Sequence, residues 1–145
     1  MELTRPLTIA DHAQVLPLYA VLGGSSTDPD AFETILSHPG TTIWGSFDGD
    51  MLKAMTTLHI LPNLTQNGRP YALIENVASL PSARGQGHAR DVMQAAINAA
   101  WIAGAYKIML LTGQNIGAKG FYEQFGFRAD QKFGMQLRRV PARKP

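Results

Sequence analysis

A glycine-containing turn lies between an apolar strand pattern and an amphipathic helix pattern, and its sequence is Arg84-Gly85-Gln86-Gly87-His88-Ala89. The first turn of a helix has backbone N–H groups without intrahelical partners and carries partial positive charge. Small residues allow a phosphate to approach that backbone, and Arg84 adds a charge-assisted donor. The turn therefore predicts an anion site, although an ordinary tight turn would use glycine in the same way.

Two common nucleotide-binding motifs do not match this turn. The P-loop ends in Gly-Lys-Ser/Thr, whereas His88 and Ala89 follow Gly87 here. The dinucleotide motif needs a further glycine three residues after Gly87, where this chain has Arg90. Both nucleotide interpretations are therefore excluded.

The pattern Arg-x-x-Gly-x-Ala resembles the pyrophosphate-binding segment of the GNAT acetyltransferase superfamily, Arg/Gln-x-x-Gly-x-Gly/Ala. In that family the segment follows the fourth strand and opens the helix that cradles the pyrophosphate of CoA. The resemblance implies that acetyl-CoA is the co-substrate and that its pyrophosphate is held by Arg84, Gly85, Gln86, Gly87, His88 and Ala89.

A second segment, Asn115 to Phe127, resembles the family pattern Asn-x-x-Ala-x-x-Phe-Tyr-x-x-x-Gly-Phe. The resemblance implies that Asn115 starts the last helix beside the CoA arm, with Phe121 on the same helix. It also implies that Tyr122 lies near the thioester sulfur, where a hydroxyl can protonate the departing thiolate. Alternatively, Tyr122 is a core aromatic residue with a satisfied hydroxyl. Gly126 is expected to end the helix in the left-handed conformation, with Phe127 entering a strand.

An acceptor amine is protonated near neutral pH and must lose a proton before it can attack. The candidate base is Glu75, because a carboxylate between Ile74 and Val77 in an apolar strand is costly if it is buried without a partner. Partial burial would also raise the pKa of Glu75 toward a value useful for a base. Alternatively, Glu75 faces solvent or pairs with Arg69.

The stretch Ile74-Glu75-Asn76-Val77 resembles the glucosamine 6-phosphate N-acetyltransferase branch, which has Ile-Glu-Asp. Asn76 removes a carboxylate from the acceptor side, so only the reaction class is carried over. The resemblance further implies that the backbone of Val77 and Ala78 binds the pantetheine arm and polarises the thioester carbonyl. Further acceptor contacts are predicted at His59, Arg69, Asn76 and the loop 62–70. Alternatively, His59 is simply a half-exposed histidine of a strand.

Composition excludes several other classes of protein. The chain has no cysteine, which excludes a disulfide framework, a thiolate zinc site and a cysteine nucleophile. The histidines have no metal-ligand spacing, so no metal is expected. Net charge is only +2, and basic residues are not interleaved with aromatic ones, so nucleic-acid binding is not expected. No apolar run approaches the roughly 20 residues of a membrane span, and no signal peptide is apparent, which favours a cytoplasmic protein.

Apolar periodicity and turn residues predict a mixed α/β (α+β) sheet rather than a purely parallel one. The resemblance implies the GNAT-like acyl-CoA N-acyltransferase fold, with a central, mostly antiparallel sheet flanked by about four helices. Strands are expected at 3–5, 41–47, 51–60, 71–79, 107–112 and 133–138, and helices after Thr8, after Asp28, over 87–103 and over 116–124. Residues 1–145 form one domain in this interpretation, and 138–145 are a basic tail, flexible at its prolines.

These predictions together describe a GNAT-like N-acetyltransferase that transfers acetyl from acetyl-CoA directly to the primary amine of a small molecule, such as an amino sugar or amino acid. Glu75 would be the base and Tyr122 the acid. The alternatives are a non-catalytic acetyl-CoA-binding module of the same fold, acetylation of a protein amine, or an interaction domain that binds no CoA. Members of the superfamily often form dimers, and the sequence leaves a homodimer open.

Overall fold

The structure is a computed structural model that describes residues 2–24 and 28–142. The chain divides into two compact units, residues 1–109 and 110–145, and each is described below by itself. Within the described ranges, no helix is both long enough and apolar enough to cross a membrane.

The first unit contains all five strands of a single sheet. The strands are β1 Glu2–Pro6, β2 Thr41–Asp48, β3 Met51–Leu61, β4 Tyr71–Ser79 and β5 Ile108–Met109. Its helices are α1 His12–Val21, α2 Pro29–Ser37, the single turn α3 Thr65–Gly68, and α4 His88–Ile102. The predicted mixed fold with a mostly antiparallel sheet is confirmed.

Strand order in the sheet is the order in the chain, β1-β2-β3-β4-β5. The first four strands are antiparallel neighbours, whereas β5 runs parallel to β4 and pairs only with Ala72 and Leu73. A parallel pair needs a crossover connection, and α4 supplies it. The glycine turn therefore lies within the crossover: Arg84–Gly87 precede α4, and His88 and Ala89 are its first two residues.

Local side-chain bonds fix where the first two helices begin. The Asp11 carboxylate accepts a hydrogen bond from the backbone N–H of Thr8 at 2.8 Å, which closes a capping box around the short 3-10 turn Ile9–Asp11 that leads into α1. Asp28 accepts from the backbone N–H of Asp30 at 3.0 Å, and Pro29 occupies the first helical position. Both helix starts that the sequence predicts are confirmed.

The sheet of the first unit is covered on both faces. Ile43 and Phe47 of β2 belong to the core that includes Val15 and Leu18 of α1 and Phe32 of α2. Alternate residues of β2 face the other way, and there Ser46 bonds to α4. α4 buries one apolar face, as predicted: Val92, Met93, Ala96, Ile97 and Ala100. Trp101 lies in the last turn of α4 and is 52% exposed.

The second unit departs most from the sequence-based prediction. Of the strand expected over 107–112, only Ile108–Met109 pairs, and the helix expected over 116–124 is reduced to α5, Lys119–Glu123. Residues 133–138 form no strand, and Phe127 enters none. Alternating Phe133, Met135 and Leu137 are almost fully exposed, because no neighbouring strand pairs with this segment in the described part of the chain. Arg138 and Arg139 of the basic tail are exposed, and Arg143 and Lys144 lie outside the described residues.

A bidentate ion pair connects β1 to the start of the first helical segment, and it makes stability depend on pH. Both Asp11 oxygens accept from Arg5 at 2.9 Å, and these bonds lower the pKa of the Asp11 carboxyl group. A lowered folded-state pKa gives stability above the unfolded value of about 3.9, and this stability is lost as pH falls through the folded value.

We expect Asp11→Asn to lower the free energy of unfolding by about 2 kcal/mol at neutral pH, because Arg5 loses a charged partner beside a buried side chain. The difference from the unsubstituted protein should shrink below about pH 4. Urea unfolding over a pH series measures both effects. The control is Asp130→Asn, which breaks a bidentate pair with Arg128 that is solvent-exposed and should have little effect. Equal losses for the two variants would contradict this account.

Candidate active site

A β-bulge interrupts β4 at its centre. Thr57 pairs with Glu75 and Met55 pairs with Ala78, so two residues of β4, Asn76 and Val77, stand opposite the single residue Thr56. Asn76 has a φ of 55°, in the left-handed region that asparagine tolerates better than most residues. The bulge breaks the alternation of side chains, and Glu75 and Asn76 are both exposed as consecutive residues.

The bulge lies in the part of β4 that β5 does not reach. β5 pairs only with Ala72 and Leu73, and in the described sheet the edge of β4 from Ile74 to Ser79 has no strand beside it on that side. An open strand edge offers backbone N–H and C=O groups to an extended ligand. Val77 and Ala78, predicted to bind the pantetheine arm through their backbone, lie on this segment.

Glu75 lies at the surface of the bulge rather than partly buried. Of the two environments that the sequence left open, burial in the strand and exposure to solvent, the structure has exposure, because the bulge turns Glu75 and Asn76 to the surface together. Within residues 2–24 and 28–142, Glu75 forms no ion pair. Its backbone carbonyl accepts from the Thr56 hydroxyl at 3.2 Å, which helps hold the bulge. The carboxylate is therefore positioned by its backbone and is accessible to a bound molecule.

The glycine turn has the features of an anion site. Gly85 and Gly87 have φ values of 79° and 91°, and a Cβ added at either would meet no atom within 4 Å. Glycine is therefore required here by backbone conformation, and the space around it is open. No side chain caps the 15-residue helix α4, so its first-turn N–H groups remain available to a ligand. Arg84 and Gln86 are exposed beside the turn, and Ala89 is half-buried.

His88 differs from the other residues of the turn because its side chain is buried. It is 2% exposed, and its Nδ1 lies 2.8 Å from the hydroxyl of Ser46, which is completely buried. The imidazole therefore joins the first turn of α4 to β2, and only the backbone of His88 is available at the predicted pyrophosphate site. Sequence reasoning missed Ser46, because nothing in a serine within a strand pattern indicates a partner 42 residues away.

Three predicted acceptor-side residues have distinct environments in the first unit. His59 is half-buried, and its Nδ1 lies 2.9 Å from the hydroxyl of Thr41. Asn76 is exposed on the bulge. Arg69 donates to the carbonyls of Gly104 and Ala105 at 3.1 and 3.4 Å, just after α4 ends. Arg69 therefore neither pairs with Glu75 nor keeps its whole guanidinium free for an anion.

The second unit holds the remaining predicted residues. Asn115 is exposed and lies four residues before α5, so the prediction that it starts the helix is wrong. Phe121 and Tyr122 lie on α5 with ring centroids 5.2 Å apart, and Phe127 lies 6.3 Å from Tyr122, edge-on. Burial raises the pKa of Tyr122, so its hydroxyl stays protonated at neutral pH. Gly126 has the predicted left-handed φ, 97°.

Within the described part of the chain, no group of three or more His, Cys, Asp or Glu side chains could hold a metal ion. The site residues of the first unit are instead backbone amides, one exposed carboxylate and a strand histidine. This donor set fits an extended anionic ligand that is bound mainly by main chain.

We expect Gly87→Ala to weaken acetyl-CoA binding at least tenfold, because a Cβ at φ 91° strains the turn whose amides face the anion. Isothermal titration calorimetry measures the dissociation constant. The matched control is Gly104→Ala at the other end of α4, where φ is 85° and the space is equally open. Gly104→Ala should lower the melting temperature without changing affinity. Equal affinities for the two variants would contradict the assignment of the turn.

Comparisons with known proteins agree with this geometry. The model of the acetyltransferase (GNAT) family matches residues 12–127. A solved structure described as "Putative acetyltransferase from Agrobacterium tumefaciens str. C58" is 40% identical, with a TM-score of 0.88 over 94% of this chain and 99% of that chain. A transcriptional regulator from Bacillus halodurans C-125 is 26% identical, with a TM-score of 0.85 over 95% and 99% of the two chains.

Glucosamine-6-phosphate N-acetyltransferase from Arabidopsis thaliana shares the fold at 20% identity, with a TM-score of 0.83 over 97% of this chain and 99% of that chain. No curated protein matches the sequence. The family match covers most of the chain and includes both the bulged strand and the glycine turn. The chain therefore belongs to the GNAT family of acetyltransferases.

Proposed function

We propose that this protein transfers acetyl from acetyl-CoA directly to the primary amine of a small molecule, such as an amino sugar or an amino acid. The observation that carries the proposal is the bulge at Asn76, which exposes the Glu75 carboxylate on the strand that leads to the uncapped glycine turn. A base for the amine and an anion site for the CoA pyrophosphate thus follow one another along the chain.

Residues of β4 and of the turn before α4 would hold acetyl-CoA. The first-turn amides of α4, with exposed Arg84, suit a pyrophosphate because they combine directed donors with positive charge. The open edge at Val77 and Ala78 suits the amide groups of pantetheine. An N–H at the bulge would also polarise the thioester carbonyl, because the extra residue of a bulge leaves the ladder locally unpaired.

Glu75 is proposed to take the proton of the acceptor ammonium, directly or through one water. Its exposure supports this role, since a substrate must reach the carboxylate. Tyr122 is proposed to donate its hydroxyl proton to the departing thiolate. Burial raises the pKa of Tyr122, so the phenol is protonated before transfer, and the support for this second role is the resemblance of the segment around α5 to the family pattern.

Glu75→Gln should reduce kcat/KM by about 10²- to 10⁴-fold near neutral pH, because the amide cannot accept the proton. The defect should shrink as pH rises toward the pKa of the acceptor, about 8 for an α-amino group, because the amine is then already neutral. The assay follows CoA thiol release from acetyl-CoA with a panel of amino sugars and amino acids. Asp50→Asn, in the exposed β2–β3 turn, is the control for losing a carboxylate elsewhere. A defect that does not vary with pH would rule out Glu75 as the base, and no transfer to any amine would overturn the proposed function.

Tyr122→Phe should lower kcat by about 10²-fold or more while leaving the dissociation constant of acetyl-CoA unchanged within twofold, since only the hydroxyl is removed. Steady-state kinetics and calorimetry on the same preparation separate these two quantities. Tyr71→Phe, at a half-buried tyrosine of β4, is the control. Unchanged turnover in Tyr122→Phe would show that the phenol is only a core residue.

A further inference from the structure

Two histidines of the first unit are bridged by one hydroxyl group. The Thr41 Oγ lies 3.0 Å from Nδ1 of His38 and 2.9 Å from Nδ1 of His59. His38 follows the last residue of α2, Thr41 begins β2, and His59 pairs with Thr41 from β3. His38 is exposed and His59 is half-buried, so the three side chains lead from the interior of the unit to solvent.

The single hydroxyl proton of Thr41 imposes a direction on this chain. A threonine hydroxyl donates one hydrogen bond, so it can donate to only one of the two Nδ1 atoms and must accept from the other. The two imidazoles must therefore be in opposite tautomers, one with its proton on Nδ1 and the other with its proton on Nε2. Such an arrangement conducts a proton when each group passes on one proton as it receives another.

The inner end of this chain lies beside the proposed base. Thr57 pairs with Glu75 and His59 pairs with Leu73, so His59 and Glu75 are diagonal neighbours on one face of the β3–β4 pair. Diagonal positions of this kind place Cβ atoms about 7 Å apart, within reach of long side chains or one bridging water.

The outer end opens onto carboxylates. His38 lines a surface groove of α2 together with Asp30, Glu33, Thr34 and Ser37. A proton that arrives at His38 can therefore leave to water or to either carboxylate.

We propose that His59, Thr41 and His38 carry the acceptor's proton from Glu75 to solvent while bound substrates cover the otherwise exposed carboxylate, a role that rests on the proposed acetyl transfer. The ammonium N–H bond breaks and the proton passes through Glu75 to Nε2 of His59. His59 gives its Nδ1 proton to the Thr41 oxygen, the Thr41 proton moves to Nδ1 of His38, and His38 releases its Nε2 proton. Charge and atoms balance without a redox partner. After the product leaves, one proton enters at Nε2 of His38, the Thr41 hydroxyl passes one back to Nδ1 of His59, and His59 loses its Nε2 proton to the open site, which restores both starting tautomers.

The first test needs no acceptor substrate. Long-range ¹H–¹⁵N NMR on the ¹⁵N-histidine-labelled protein at about pH 8, where imidazoles are neutral, reports the tautomer of each ring. The expected result is an Nδ1–H tautomer for His59 and an Nε2–H tautomer for His38. In Thr41→Val the two rings should no longer be held in opposite tautomers, whereas in Thr41→Ser they should be. Identical tautomers for both rings in the unsubstituted protein would overturn the relay, because one hydroxyl cannot satisfy them.

The second test is kinetic and uses acetyl-CoA with the best amine of the panel. Thr41→Val should lower kcat about tenfold in dilute buffer with an unchanged KM for acetyl-CoA, and Thr41→Ser should restore it. High concentrations of imidazole buffer should rescue His38→Ala, because the missing group is exposed and a buffer molecule can replace it. The control is Thr42→Val, on the opposite face of β2.

The outcomes separate the relay from the proposed function. Full activity of Thr41→Val in dilute buffer, or a lower melting temperature with unchanged kcat, would overturn the relay while acetyl transfer stands. Absence of acetyl transfer by the unsubstituted protein would overturn the proposed function, and with it the role of the relay. A tenfold loss that Thr41→Ser and imidazole reverse would support both.

Discussion

The geometry of the candidate site depends on one extra residue in β4. A regular strand points successive side chains to opposite faces, so it cannot present both Glu75 and Asn76 to solvent. The left-handed backbone at Asn76 breaks that rule and leaves Val77 without a register partner on β3. Left-handed backbone at a non-glycine residue costs on the order of 1 kcal/mol or more, and the surrounding ladder compensates for it. Local strain at the bulge thus makes an exposed carboxylate and an open strand edge available together.

The two faces of the sheet pack against different helices and carry different polar groups. On the α4 face, the completely buried bond between Ser46 and His88 anchors a helix whose first turn has no cap, so the turn can stay open while the helix stays in place. On the other face, α1 and α2 cover an apolar core. Towards the end of β3 the residues on this face become polar: Thr57, His59 and the neighbouring Thr41. The proposed anion site and the proposed proton relay would therefore be supported from opposite sides of the same strands.

Much of the first unit could be predicted from sequence because its signals are local. Each signal determines the local structure of only a few neighbouring residues. These signals are the capping residues, the turn at Gly49, the glycines at positive φ and the alternating apolar residues. The bulge was missed because its only trace is an asparagine inside a strand pattern, a residue that strands disfavour. The strand expected at 133–138 was wrong because alternation shows that a segment could pair and not that a partner exists. Thr41 was missed because its two histidine partners converge only once α2, β2 and β3 are assembled.

The sequential strand order also has a consequence for how the sheet is assembled. Each of β1 to β4 pairs with its neighbour in the chain, and β2 to β4 are joined by short connections, so most strand pairing is local in sequence. Contacts between residues close in the chain form quickly, whereas a parallel pair must wait for its crossover. With only two pairs of residues, β4–β5 is the weakest part of the ladder, and we expect its amides to exchange with solvent before those of the β2–β3 hairpin. A ligand held between β4 and the first turn of α4 would connect the two ends of this late-forming crossover.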